Sequence, residues 1–194
     1  VFSLTGLPGR LLVFGAGPIG CEMAQAFRRF GSEVTIIERA PQLLTREDPD
    51  AAATVSGAFL RDGVDVRLNT VVKGVSVAGK EKRVHLRRAD GFEDVVAADE
   101  ILIGAGRVPN VEGLNLERVG VAYDRRKGVE VNDFLQTANP RIYAAGDVCQ
   151  VHKFTHTADA AARIVIQNAL SRGRKRYSAL TIPWCTYTDP EIAH

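Results

Sequence analysis

Three glycines and a carboxylate near the start of the chain have the types and spacing to do chemistry. Gly15, Gly17 and Gly20 form the pattern GxGxxG within GAGPIG, and Glu38 follows about 20 residues on. Each glycine has its own physical reason. Gly15 permits a sharp turn, Gly17 lets a pyrophosphate approach the backbone, and Gly20 lets a helix pack closely on a strand. Pro18 falls where a helix begins, where its missing N–H costs little, and the helix N-terminus then offers unpaired N–H groups to phosphate oxygens. A carboxylate at Glu38 suits the hydroxyls of an adenine ribose. A glycine-rich turn can also be a mere connection, and Glu38 a solvated strand end, so the flanking elements decide.

Those elements agree with the nucleotide reading. Leu11 to Phe14 is an apolar run of strand type, Ala24 is small enough for close packing, Gly31 closes the helix, and Val34 to Ile37 is rich in β-branched residues. The stretch from Leu11 to Glu38 therefore reads as one β-α-β unit. Val1 to Gly9 reads as a connecting segment and Pro41 to Asp48 as a loop. Pro49 to Leu60 has helical periodicity, with Asp48 or Asp50 as its cap and Gly63 as its end. Val64 to Leu68 is the next parallel strand. Val71 to Val77, Arg83 to Arg88 and Asp94 to Val96, separated by turn residues, predict an antiparallel meander inserted as the crossover before a last strand, Glu100 to Ile103.

Beyond Ile103 the character changes. Arg107-Val108-Pro109 forces an extended exit from a pair of glycines. Val121 to Tyr123 and Val129 to Val131 flank a basic turn. Thr137 to Val148, TANPRIYAAGDV, predicts a buried strand ending in Gly-Asp, which would put Asp147 at a strand's carboxyl end, where α/β sheets bind ligands and a carboxylate suits sugar hydroxyls. The alternative is a turn aspartate capping the next segment. Thr155 or Thr157 is expected to cap a helix from Ala158 to Leu170, and Pro183, Trp184 and Pro190 mark a more extended tail.

Composition excludes several classes. With 25 basic against 23 acidic residues the net charge is +2, so no global field recruits nucleic acid or an anionic membrane. The local basic runs, Arg125 to Lys127 and Arg172, Arg174, Lys175 and Arg176, read as solvated turns and a helix C-terminus. Cys21, Cys149 and Cys185 are odd in number and lack CxxC spacing, which argues against a disulfide framework or a zinc site and fits a reducing compartment, the cytoplasm. No apolar run approaches the ~18 residues of a membrane span.

Three ordered motifs, GAGPIGCE at Gly15 to Glu22, GAGRVPN at Gly104 to Asn110 and TANPRIYAAGDV at Thr137 to Val148, resemble the pyridine nucleotide-disulfide oxidoreductases, FAD- and NAD(P)-dependent flavoproteins. The tail, FTHTADAAARIVIQNAL and then LTIPWCTYTDPEIAH, is similar to the branch that holds mercuric reductase and dihydrolipoamide dehydrogenase. The resemblance implies that Gly15, Gly17, Pro18, Ile19 and Gly20 hold the NAD pyrophosphate. Glu22 matches the glutamate that lies near the nicotinamide, in a supporting catalytic position, and pairs with a lysine from a part not in this sequence. Gly106 passes close to the nicotinamide ribose, although Ala105 replaces a frequent threonine there. Asp147 would bind the ribityl chain of FAD, Lys153, Phe154, Thr155 and His156 would line its flavin side, and the helix after Thr157 would aim its positive end at the flavin pyrimidine.

The expected fold is α/β: a Rossmann-like NAD-binding domain over residues 1–106, with a parallel sheet and an antiparallel β-meander crossover, then part of an FAD-binding domain over 107–176 and the start of a dimerisation domain over 177–194. The family's first FAD-binding unit, its CxxxxC pair and its His-Glu pair are not in the sequence, so the chain reads as a fragment of an oxidoreductase, and the fragment by itself is expected to be inert. Expected cofactors are FAD and NAD(H), with NADP(H) disfavoured by Glu38. The parent is expected to be a homodimer acting on a small-molecule, metal-ion or disulfide substrate, with no nucleic-acid or membrane partner. Two alternatives are an NADH oxidase or transhydrogenase without a redox disulfide and a non-catalytic nucleotide-binding module. Thr137 to His194 is expected to be mobile or to pair with another copy.

Overall fold

The computed structural model describes residues 1–171 and 173–194; Arg172 of the basic run lies outside the described residues. The chain divides into two compact units, one of Val1–Gly106 with Pro183–His194 and one of Arg107–Ile182.

The first unit is built on a four-stranded parallel sheet in the order β3-β2-β1-β7, from Arg10–Phe14 (β1), Glu33–Ile37 (β2), Asp65–Arg67 (β3) and Glu100–Ile103 (β7). Helix α1, Pro18–Phe30, links β1 to β2, and α2, Pro49–Asp62, links β2 to β3. Both helices end as their sequences suggest. Gly31 takes φ 109°, in the left-handed region, with its N–H on the Arg28 carbonyl, while the Ser32 N–H reaches back to Phe27. Asp48 rather than Asp50 caps α2, accepting from the Asp50 N–H at 2.9 Å, and Gly63 stops it.

The crossover from β3 to β7 is the antiparallel meander β4 (Thr70–Ala78), β5 (Glu81–Arg88) and β6 (Glu93–Ala98). Strand alternation explains why β1 reads as a continuous apolar run. Leu11 and Val13 face the helices, where they join Cys21, Ala24, Val55 and Phe59, whereas Leu12 faces the meander with Val84, Leu86 and Ala98. A parallel strand covered on both faces needs apolar residues at every position.

Pro183–His194 packs on this same unit. Its short hairpin, β10 (Cys185–Thr186) and β11 (Ile192–Ala193), places Ile192 in the helix-side core.

The second unit holds little regular structure. A hairpin of two-residue strands, β8 (Tyr123–Asp124) and β9 (Gly128–Val129), encloses the basic turn, and helix α3 spans Thr155–Leu170. Two expectations fail here. Thr137 to Val148 is not a strand: its single bridge joins Tyr143 to Gln136. The Thr137 hydroxyl and Asn139 amide oxygen accept from the N–H groups of Asn139 and Arg141, Pro140 has no N–H, and these local bonds make a turn instead. Nor do Thr155 or Thr157 cap α3. The helix begins at Thr155, Phe154 stands at the cap position, and its carbonyl accepts from the Ala158 N–H. Arg174, Lys175 and Arg176 past α3 are exposed, as expected, and Arg174 and Arg176 lie 5.5 and 5.6 Å from the ring centre of Phe134.

Candidate functional site

In the first unit the chemistry gathers where β1 and β7 both end. Sheet order runs outward in opposite directions from this pair, the switch point at which α/β sheets open a crevice. The turn after β1 is tied to its neighbours by main-chain bonds from Gly15 N–H to Ile37 and from Gly104 N–H to Phe14. Gly15 has φ +101°, and a Cβ there would sit 2.7 Å from the Gly104 carbonyl oxygen; a Cβ on Gly20 would overlap the Gly15 carbonyl. Two of the glycines are therefore required by the protein's own packing. Gly17 is different, because a Cβ on it would meet nothing within 4 Å and its φ of −74° is open to any residue. A glycine that nothing in the fold requires, at the cap of a helix whose first turn carries Pro18 and exposed Ile19, leaves an open cradle of backbone N–H groups.

Glu38 follows β2 and turns back over this cradle. Its two carboxylate oxygens accept from Ala16 N–H at 2.8 Å and Ala40 N–H at 2.9 Å. The Ala16 carbonyl accepts in turn from Leu44 N–H, so the loop before α2 also buttresses the turn. Cys21, one residue past Gly20, is fully buried, and burial, followed by the nearby Glu38 and Glu22 carboxylates, pushes its thiol up to about 12. It is a packing residue. Glu22 is half-buried on α1 and accepts from the Tyr187 main-chain N–H at 2.9 Å. Gly106, with φ +96° and open space at its Cβ position, ends the unit.

In the second unit, Asp147, Lys153, Phe154, Thr155 and His156 lie within one turn and the start of α3. Arg107, which sequence reasoning treated as a mere exit from β7, donates to the Asp147 carboxylate at 3.2 Å and the Lys153 carbonyl at 3.0 Å. The Lys153 ammonium donates to the carbonyls of Asp147 and Gln150. Phe154 and His156 stack with ring centres 5.4 Å apart. Asp147 is thus exposed on a braced turn rather than at a strand end. The Gln150 amide and Thr157 hydroxyl nearby are buried, with no hydrogen-bond partner among the described residues.

Sequence reasoning missed Gln25 and Glu47 entirely. Gln25 is 4% exposed, and its amide donates to the Asp189 carbonyl and accepts from the Asp189 N–H. Glu47 is 6% exposed and holds the Trp184 indole N–H at 3.1 Å and the His194 ring. A polar residue in a loop or on a helix gives no local sign that a segment more than a hundred residues later will bury it.

Among the described residues no group of three or more His, Cys, Asp or Glu could hold a metal ion, and no helix is long and apolar enough to cross a membrane.

Comparison with known proteins agrees with the geometry. The sequence pattern of the pyridine nucleotide-disulphide oxidoreductases matches residues 1–162. The chain is 34% identical over 193 residues to mercuric reductase of Lysinibacillus sphaericus, covering 100% of this chain and 35% of the relative. It is 36% identical over 191 residues to dihydrolipoyl dehydrogenase of Thermus scotoductus, covering 97% of this chain and 41% of the relative, and 38% identical over 191 residues to mercuric reductase of Streptomyces lividans, covering 98% of this chain and 40% of the relative. Among solved structures, the HOCl-induced flavoprotein disulfide reductase RclA from Escherichia coli superposes with a TM-score of 0.89 at 33% identity, over 98% of this chain and 43% of that one. The chain thus spans well under half the length of these relatives. On its matched pattern and its relatives, it belongs to the pyridine nucleotide-disulphide oxidoreductase family.

Proposed function

We propose that this chain is the pyridine-nucleotide-binding part, with a flavin-contacting part, of an oxidoreductase that carries reducing equivalents from NAD(H) to FAD and on to a disulfide or metal-ion acceptor. The observation that carries the reading is the open backbone at Gly17 between two glycines that packing requires. Gly15, Gly17, Pro18, Ile19 and Gly20 would receive the pyrophosphate, Glu38 the adenine ribose, and Glu22 and Gly106 the nicotinamide end. The nicotinamide supplies the two-electron chemistry when bound; the chain's own residues bind and orient it.

Residues 1–106 would form the NAD-binding domain, 107–176 the returning part of an FAD domain, and 177–194 the start of a dimerisation domain. Asp147 would take ribityl hydroxyls, and Lys153, Phe154, Thr155 and His156 would line the flavin. The unpartnered Gln150 amide and Thr157 hydroxyl support a polar ligand beside this segment. The parent enzyme would be a cytoplasmic homodimer.

Calorimetric titration of the purified chain with NADH, followed by absorbance spectra after incubation with FAD and gel filtration, tests the reading. NADH should bind, and the chain should retain no flavin without the rest of the FAD site. Failure to bind NADH would overturn the assignment.

A further inference from the structure

The antiparallel meander has an outer strand that the fold leaves open. β4 lies at the edge of the order β4-β5-β6, and among the described residues no main-chain hydrogen bond reaches its outer side between Val71 and Ala78. Its nine residues, TVVKGVSVA, are mostly β-branched, and such an edge is a template for another strand. Lys73 is its only charge. It stands at a bulge, where Val72 pairs with Leu86 and Gly74 with His85, and from Gly74 to Ala78 the ladder then runs unbroken.

The two faces of this edge call for different side chains. Directly opposite residues share a face, so Val75 and Val77 lie on the side of their partners Val84 and Lys82, toward the core. That core takes in Val72 and Val84 but not Val75 or Val77, which are 51% and 69% exposed. The other face is cationic. Exposed Arg83, His85 and Arg87 alternate along β5 with a repeat of about 7 Å, and the bulge residue Lys73 adjoins the partner of His85. Their opposite residues on β4, Ser76, Gly74 and Val71, carry no charge. Glu81 is already bound to Arg83 and Arg10, and Glu93 lies across from Arg87 on β6, away from the open edge.

From these two faces we infer that β4 receives an extended peptide as a fourth strand of the meander, one whose side chains alternate between acidic and apolar. Successive side chains of a strand point to opposite faces, so its carboxylates meet Lys73, Arg83 and His85 while its apolar groups cover Val75 and Val77. A second copy of β4 is a poor occupant, because it would bring another lysine to a face that is already cationic. A nucleic-acid strand has neither a ladder of backbone N–H and C=O groups nor an apolar face for the valines.

The test uses the full 194-residue chain and a capped, dye-labelled peptide that alternates aspartate with valine. The same peptide with lysine for aspartate, and single-stranded oligothymidylate, serve as controls. By fluorescence anisotropy the aspartate peptide should bind saturably and more weakly as salt rises, and neither control should bind. Bound peptide should slow amide hydrogen exchange from Val71 to Ala78, which contact with side chains alone would not do. Lys73→Glu and Val77→Asp change exposed residues, and circular dichroism checks that both variants fold. Lys73→Glu should weaken the peptide about fivefold, the upper end for an exposed ion pair, and Val77→Asp should weaken it as well. An aspartate peptide that does not bind, a lysine peptide that binds as tightly, binding without protection of β4, or folded variants that bind like the parent would each overturn the inference. Binding of oligothymidylate alone would overturn it in favour of a nucleic-acid face.

Discussion

Two glycines of one turn should fail in opposite ways when given side chains. Gly17→Val places a branched side chain in open space at an ordinary φ. Valine is a poorer helix cap than glycine by about 0.5–1 kcal/mol, and restricting the unfolded chain returns about 0.4–1 kcal/mol, so stability should change by less than about 1 kcal/mol. The same side chain would stand where the backbone N–H groups meet a pyrophosphate. Two hydrogen bonds to charged oxygens are worth about 3–6 kcal/mol, so NADH affinity should fall at least about a hundredfold. Gly15→Ala should do the reverse in its first effect. A positive φ costs an L-residue about 1–2 kcal/mol, and a Cβ 2.7 Å from the Gly104 oxygen adds overpacking of about 1–3 kcal/mol. Urea unfolding followed by circular dichroism should show that loss of about 2–5 kcal/mol. Calorimetry on the folded Gly17→Val chain should show no NADH binding at concentrations that saturate the parent. A Gly17→Val chain that binds NADH normally, or a Gly15→Ala chain as stable as the parent, would refute the division of labour within the turn.

Other outcomes follow from the same structure. The Glu38 carboxylate is fixed beside the turn, and a 2′-phosphate about 4 Å from it would be repelled by about 4 kcal/mol at an effective dielectric near 20, less with salt, so NAD(H) should bind more tightly than NADP(H). Parallel titrations check this; equal or tighter NADP(H) binding, for instance with exposed Arg39 turned to the phosphate, would contradict it. Hydrogen bonds from the Arg10 guanidinium and main-chain N–H hold the Asp99 carboxyl below its ordinary range. A lowered folded value stabilises the fold above the unfolded carboxylate range and is lost as pH falls through the folded value. Asp99→Asn should therefore destabilise at neutral pH, with a gap from the parent that closes below about pH 4; a pH-independent gap in urea midpoints would count against it. With its thiol pushed up to about 12 by burial, Cys21 should resist iodoacetamide at pH 8 until the chain unfolds, and mass spectrometry that finds it alkylated before Cys185 would show that the turn opens.

Much of the first unit is legible in the residues because its determinants are local. Strand β1, the glycine turn, Gly31, Asp48 and Gly63 each act within a few residues, and the apolar alternation of β4 to β6 announces the meander. The bounds shift where pairing extends them: β4 runs to Ala78 because that residue pairs with Glu81 across the turn. Thr137 to Val148 misleads because its apolar residues suit a strand while Thr137, Asn139 and Pro140 close a turn within it. Docking of the tail is illegible for another reason. Gln25 and Glu47 acquire partners over a hundred residues away, and neither shows a pattern in its own neighbourhood. Arg107 belongs with them, since its role is visible only once Asp147 and Lys153 are placed beside it.

The central claim, that the turn from Gly15 to Gly20 receives the dinucleotide, is tested most directly by titrating isotope-labelled chain with NADH and following backbone amide resonances. Saturable shifts should concentrate at Gly15 to Gly20, at Ala16 and Ala40 beside Glu38, and at Gly104 to Gly106. Saturable shifts that leave the Gly17 to Gly20 amides unmoved would contradict it.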